Sequence, residues 1–254
     1  MKITVLGSGS AYGCPMSFNN WREADPLNHK NERTRAAVLI EHNSKYFMID
    51  AGPDFRFQIN HHQVPNLDAV FITHGHYDHI GGVPELPRAA KTLRHCVEVW
   101  SSRETFSRIQ ECFCYLFNGE EQESNTVKWH TLPDSGTFES RGVTFTTFQL
   151  PHHELHTSCF RLNNFAYITD WQEFLPETAE VLKGLDLLMI ECNNGTSYEA
   201  NGHADLAMIK QVEEIIKPKR IVLTHLSARV DYEKISSLLP ENWQLAYDGM
   251  VLKS

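Results

Sequence analysis

Within the segment FITHGHYDHIGG, residues 71 to 82, three histidines and one aspartate fall between His74 and His79. Imidazole and carboxylate are the donors that zinc, manganese and iron take from proteins. His74 and His76 stand two apart, so in extended backbone their rings point to one side. Asp78 and His79 follow in what reads as a loop, and Gly81 and Gly82 let the chain turn sharply after it. Four donors in six residues exceed what one tetrahedral ion takes from a short loop, which points to two divalent ions. A histidine-rich surface loop is the competing reading.

Those donors need strands to aim them, and three apolar runs end in the same way: FIT before His74, YIT before Asp170 and VLT before His225. Each is strand-like, then threonine, then a metal-competent side chain at the exit. In α/β architectures ligands gather outside the carboxyl ends of strands, so these three residues could meet at one edge. Threonine is common in strands, and coincidence would give the same pattern.

Other short runs rich in Ile, Val and Phe recur along the chain, among them ITVLG, AAVLIE, CVEVWSS, VTFTTFQL, LDLLMIEC and QLAYDGMVL. Asn43-Ser44 and Asn163-Asn164 read as hairpin turns, because asparagine tolerates positive φ. Helical periodicity falls at 103–118, 176–184, 204–217 and 232–239. The tract LFNGEEQESN reads as a solvated acidic loop, and His61-His62 as part of a polar one. The expected fold is α+β, with two sheets face to face and helices outside, as one domain over residues 1–254.

The 254 residues, 41% apolar and 22% charged, suit a globular chain with a sizeable core, and no apolar run reaches the length of a membrane span. The opening MKITVLGSGS is too short for a signal peptide and reads as a first strand. Six scattered cysteines without a C-x-x-C pair then suggest reduced thiols and a cytoplasmic setting. A net charge of −9 argues against a long nucleic acid as the main ligand. A small anion held by metal ions stays compatible, because bound cations invert the local charge. Gly7-x-Gly9 is not a dinucleotide fingerprint, since the third glycine is Gly13 and no helical pattern follows.

THGHYDHIGG resembles the signature of the metallo-β-lactamase fold superfamily, which implies a four-layer αββα sandwich with a metal site at one edge of its sheets. The resemblance implies that His74, His76 and one of His152 or His153 hold a first ion. The H-x-x-L spacing in LPHHELHTSCFRL favours His152 for that place. Asp78, His79 and His225 would hold a second ion, with Asp170 bridging. The ions would be zinc or manganese, with iron also compatible. Asp50, in MIDAG, would orient a ligand histidine.

LGSGSAYGCP, RTRAAVLI, FMIDAGPDFR, HADL and AYDGMVL extend the likeness over nearly the whole chain, to the PhnP-like phosphodiesterase subgroup. That implies opening of a small cyclic phosphodiester such as a phosphoribosyl cyclic phosphate, no membrane partner, and leaves a homodimer open. His203 in NGHADL resembles the histidine used for acid catalysis or phosphate contact, and is taken with Asp78 as catalytic; capping of the following helix is its competing role. A thioester or lactone hydrolase, a transfer-RNA 3′-processing nuclease and a non-catalytic carrier are the alternatives. Redox di-iron relatives generally carry Glu where this chain has His76. The subgroup's structural zinc, made by three cysteines and a histidine after THxS, has no counterpart: CPMSFNNWREADPLNHKNERTR holds only Cys14, and Ala228 follows THLS.

Overall fold

The computed structural model describes residues 1–118, 126–197, 199 and 201–254. Residues 119–125 of the acidic tract lie outside them. One seven-stranded sheet contains β1 (Lys2–Gly7), β2 (Ala37–His42), β3 (Lys45–Ile49), β4 (Ala69–Phe71), β5 (Val97–Ser101) and β6 (Val127–Thr131). The second runs in reverse order from β13 to β7: β7 (Gly136–Ser140), β8 (Val143–His152), β9 (Leu155–Leu162), β10 (Phe165–Ile168), β11 (Leu187–Glu191), β12 (Arg220–Thr224) and β13 (Trp243–Leu245). The chain then returns to the first sheet, where β14 (Val251–Lys253) pairs with β1. QLAYDGMVL is therefore two strands, one in each sheet.

The two sheets close on a shared aromatic layer. Phe71 meets Phe145 edge-on at 4.7 Å between ring centroids, and Phe47 meets Phe145 at 4.9 Å. On β3, Phe47 and Ile49 join this inner layer while Met48 belongs to the outer cluster under the helices. The strand is covered on both faces, which is why it reads as a continuous apolar run rather than an alternating one. The hairpin turns sit where asparagine marks them: Asn43 and Ser44 have φ of 50° and 58°, and Asn163 has 54°.

Helices α1 (Phe55–His61), α2 (Tyr77–Ile80), α3 (Leu86–Leu93) and α4 (Arg103–Cys112) lie with the first sheet's half of the chain. The remaining three are α5 (Pro176–Val181), α6 (Leu206–Ile216) and α7 (Tyr232–Ser236). The sandwich is thus αββα. Among the described residues, no helix is long and apolar enough to cross a membrane.

Several local expectations need correction, and the helices expected over 176–184 and 232–239 end at Val181 and Ser236. The Asp78–His79 loop is the helical turn α2. The helix expected over 103–118 ends at Cys112, and a short 3-10 turn, Cys114–Leu116, follows. His61 closes α1 instead of lying in a loop. The helix expected from residue 204 begins at Leu206 and is capped by Asp205, whose side chain accepts from the Met208 N–H at 2.9 Å. The capping role considered for His203 therefore belongs to Asp205.

Candidate metal centre

The three threonine-led exits converge. β4 brings His74, β10 brings Asp170 and β12 brings His225 to one end of the sandwich, where each is at most 2% exposed. The two sheets are stitched there by the Ser158 N–H, which donates to the Thr73 carbonyl at 2.8 Å. Asp170 and His225 have φ of 47° and 56°, and Asp50, at the exit of β3, has 65°. Left-handed backbone at non-glycine residues costs about 1–3 kcal/mol each, and such outliers cluster at functional sites.

His76 precedes α2, and its carbonyl accepts from the His79 N–H at 3.0 Å, so the turn folds Asp78 and His79 back toward His74. The chain passes so close to the β3 exit that a Cβ at Gly52 would lie 2.0 Å from the Asp78 carbonyl oxygen. Only glycine fits that crossing.

Nε2 of His74 and Nδ1 of His76 are 2.9 Å apart, and His152 completes a group whose donors all lie within 4.8 Å of one another. Asp78, His79 and His225 form a second such group. Asp170 joins both sides: its donors group with His74 and His79, and also with His203 and His225. His79 Nε2 is 3.0 Å from Asp78 and 3.0 Å from Asp170, while His225 Nε2 is 3.3 and 3.4 Å from the same carboxylates. His152 is 1% exposed, and its Nε2 lies 3.9 Å from Asp170. His153, by contrast, is exposed with φ of 51° and does not enter the His74–His76 group. All seven residues singled out from the sequence, with His152 in place of His153, thus share one centre.

The electrostatics suit cations. Asp50, Asp78, Asp170 and Glu191 are all buried, and among the described residues their only ion-pair partners are histidines. Nδ1 of His152 is buried without a hydrogen-bond partner, and Nε2 of His79 meets two carboxylates at 3.0 Å with no hydrogen bond in line to either. Buried polar atoms left unpaired are costly, and a divalent ion would satisfy these. Burial alone would raise the Asp78 and Asp170 carboxyls. For Asp78, His79 and His225 outweigh it, and for Asp170, His225 and His79 do, so both lie below the usual range. Burial would lower His79, yet Asp78, Asp50 and Asp170 lift it well above 6.5. For His152 burial wins and lowers it to about 4.

His203 stands beside this centre. Its Nδ1 is 3.3 Å from Asp170 and 3.5 Å from Glu191, and its ring lies 5.5 Å from that of His225. Burial would lower its pKa, but the Glu191 and Asp170 carboxylates raise it. Sequence reasoning missed Glu191. This wholly buried carboxylate closes β11 and accepts from the N–H groups of Asn193, at 2.8 Å, and Ala204, at 3.2 Å. It fixes the segment that carries His203. The available signal was an acid ending the apolar run LDLLMIEC, at a strand exit like the other three.

No cysteine cluster pins the segment between Cys14 and Arg33. Cys14, Ala24 and Ala228 form a small apolar cluster flanked by Met16 and Trp21. Behind it, buried Arg33 donates to the carbonyls of Ser227 and Val230 and to Asn31 Oδ1, at 3.1, 2.7 and 2.8 Å. Asn31 in turn donates to Asp231 at 2.9 Å.

Residues 45–226 match the beta-lactamase superfamily domain. The chain is 28% identical over 256 residues to an octanoyltransferase of Porphyromonas gingivalis, which takes in 98% of this chain and 51% of that protein. It spans about half or less of the curated relatives it matches, 51%, 24% and 45% for the first three. A diphosphatase from the PhnP family superposes with a TM-score of 0.88 at 26% identity, covering 100% of this chain and 97% of that one. Zn2+-bound PqqB from Methylobacterium extorquens superposes with a TM-score of 0.76 at 18% identity, covering 100% of each, a likeness of fold alone.

Proposed function

The chain belongs to the β-lactamase superfamily, and on that premise we propose that it is a metal-dependent hydrolase that cleaves a small, cyclic phosphodiester. The carrying observation is the seven-residue His/Asp centre with His203 against its shared carboxylate. His74, His76 and His152 would hold one divalent ion and Asp78, His79 and His225 another, with Asp170 reaching both. Zinc and manganese suit these donors, as does iron. Such a pair, when bound, lowers the pKa of a water and neutralises charge gathering on phosphorus.

The rest is done by the chain's own side chains. Asp50 turns His79 toward Asp78 and Asp170. Asp170 and Glu191 face Nδ1 of His203, which leaves Nε2 to protonate the departing alkoxide or hold a phosphate oxygen. A ribosyl alkoxide is a poor leaving group, so a histidine whose protonated form is favoured by Glu191 and Asp170 suits phosphate chemistry. The diphosphatase at 26% identity supports reaction at phosphorus, although its name denotes a P–O–P anhydride and not an ester. The charge of −9 gives a long polyanion no footprint, which ranks transfer-RNA processing below a small diester.

One observation favours a second reading. The likeness to half of an octanoyltransferase points to an acyl thioester as an alternative substrate. A panel of cyclic and linear phosphodiesters, precursor transfer RNA and an octanoyl thioester, assayed on metal-replete protein, decides between them. The small cyclic diester should give the highest kcat/KM. A thioester turned over at least about tenfold faster would reverse the assignment, since a tenfold difference is about 1.4 kcal/mol of transition-state binding.

A further inference from the structure

A cavity of about 360 Å³ lies between α1 and α3. Phe55, Ile59, Val64, Leu67, Ala89 and Leu93 give it an apolar wall, and Arg56 and Arg88 stand in the same lining. None of the seven residues of the metal centre takes part. We propose that this cavity binds a medium-chain alkyl carboxylate, its tail on the apolar wall and its head held by Arg56 and Arg88. The site is separate from the hydrolytic one and does not depend on the phosphodiesterase reading.

The helical repeat builds the cavity. On α3, Leu86 and Ala90 are buried in the cluster under the helices, while Ala89 and Leu93 rest against its edge, partly covered. Arg88 and Thr92, with Glu85 just before the helix, share the face of Ala89 and Leu93 at the three- and four-residue spacing of one helical stripe. On α1, Phe55 and Ile59 stand four apart, as do Arg56 and Asn60. Val64 and Leu67, from the segment that leads into β4, close the floor. The small side chain of Ala89 leaves the middle of the α3 face open.

The polar groups of the lining divide by commitment. Asn60 donates to the Arg56 carbonyl at 2.9 Å, and the Thr92 hydroxyl donates to the Arg88 carbonyl at 3.0 Å. Asn66 donates to Asp68 at 3.3 Å, and its Oδ1 is 2.7 Å from Nε2 of His95. The uncharged groups are therefore engaged within the protein. Among the described residues neither the Arg56 nor the Arg88 guanidinium makes a hydrogen bond or an ion pair. Glu85 is the single acid in the lining and pairs with neither.

Two guanidinium groups against one carboxylate leave a positive rim over an apolar wall. That is the complement of an anion with an apolar tail, and arginine holds a carboxylate through paired, charge-assisted hydrogen bonds. The volume falls at the low end of small-molecule sites, about 300–1,000 Å³, which suits a tail of medium length. Twelve residues line the cavity, against about 20–30 on each side of a stable protein interface, so a small molecule fits it better than a protein.

The test titrates metal-replete, methyl-labelled protein with hexanoate, octanoate and octan-1-ol, followed by NMR. Octanoate should shift the methyl signals of Ile59, Val64 and Leu93. It should bind about 16-fold tighter than hexanoate, since each buried methylene adds about 0.8 kcal/mol, close to fourfold. Arg56→Gln and Arg88→Gln should each weaken octanoate about tenfold, the lower worth of a charged hydrogen bond, and leave octan-1-ol unmoved. A merely structural role would weaken both ligands alike. Glu85→Gln should tighten octanoate, and Ala89→Trp should abolish binding by filling the gap. Melting temperatures confirm that each variant is folded.

Equal affinity for hexanoate and octanoate would remove the tail from the assignment and overturn it. Octanoate binding that survives Ala89→Trp would place the carboxylate on the metal ions instead. Indifference to both arginine changes would refute the head contact. A wild-type dimer that Ala89→Trp splits in sedimentation would give the groove to a second copy of the chain and end the proposal.

Discussion

The Asp50 carboxylate lies 2.7 Å from Nδ1 of His79, and both side chains are fully buried. The contact turns Nε2 of that ring toward Asp78 and Asp170. Asp50 also accepts from the Thr73 N–H at 2.8 Å and from its hydroxyl at 2.9 Å. One residue at the β3 exit therefore holds the β4 exit and α2 in register. Partners that orient a ligand histidine in this way are typically worth about 10- to 100-fold in metal affinity. Asp50→Asn should weaken binding at the Asp78–His79–His225 group by that factor while sparing the other group. Competition titration with a metal chelator measures both; equal weakening at the two would mean that Asp50 only packs the exits.

Purified protein should carry close to two divalent ions per chain. His74→Ala or Asp170→Ala should abolish turnover with little change in far-UV circular dichroism. Elemental analysis at one ion or none, with full activity, would contradict the two-ion reading.

The histidines of the centre respond to pH in opposite directions. His152 is lowered to about 4 by burial, and His74 lies well below 6.5 for the same cause. A histidine whose folded pKa is below its unfolded one adds stability above the unfolded value and loses it as pH falls toward the folded one. Chelator-treated protein should therefore destabilise between about pH 6.5 and about pH 4, by up to about 3 kcal/mol from His152. His79 is raised instead, so its contribution is intact below about 6.5 and does not cause that loss. As a ligand it must shed its proton, so metal affinity should climb above that pH. Melting temperatures and metal titrations across the range check both signs; affinity flat with pH would contradict the account of His79.

The buried Arg33 guanidinium is matched to two carbonyls and one carboxamide, and burial lowers its pKa to about 10. Arg33→Leu leaves those acceptors unpaired, at about 1–3 kcal/mol for each buried group. Denaturant unfolding should show a loss of at least about 3 kcal/mol, and elemental analysis should find no third ion in wild type. A structural ion near Cys14 would show that the segment is held by metal after all.

Legibility followed chemistry more than shape. The donors at His74, Asp170 and His225 were readable because strand exit, threonine and ligand type coincide three times, and the sandwich came with them. Helix α1 was not, since the apolar residues of FRFQINH alternate as a strand's do, whereas α3 does carry a period, with Leu86, Ala89, Ala90 and Leu93 at helical spacing in only eight residues. β6 and β7 lie beside the acidic tract in polar sequence and gain their pairing from neighbours, which no local pattern records. Choosing between His152 and His153 needed the end of β8, where one ring turns inward and the next residue takes positive φ. Glu191 depends on contacts with the segment after β11, which no local pattern records.

His203 offers the sharpest test of the chemistry. Its Nδ1 faces Asp170 and Glu191, and both carboxylates favour the charged ring. A sugar alkoxide needs a proton as the P–O bond breaks, whereas nitrophenolate leaves without one. General acid catalysis is typically worth about 10²–10⁴-fold. His203→Ala should lose most of that on a ribose cyclic phosphate and far less on bis-nitrophenyl phosphate, with both ions retained. The limb of the pH–rate profile that His203 sets on the ribose substrate should disappear as well. Equal slowing on both substrates would make His203 a phosphate contact that donates no proton. No slowing on either would move the acid elsewhere, and Glu191 would then be only the brace of the segment after β11.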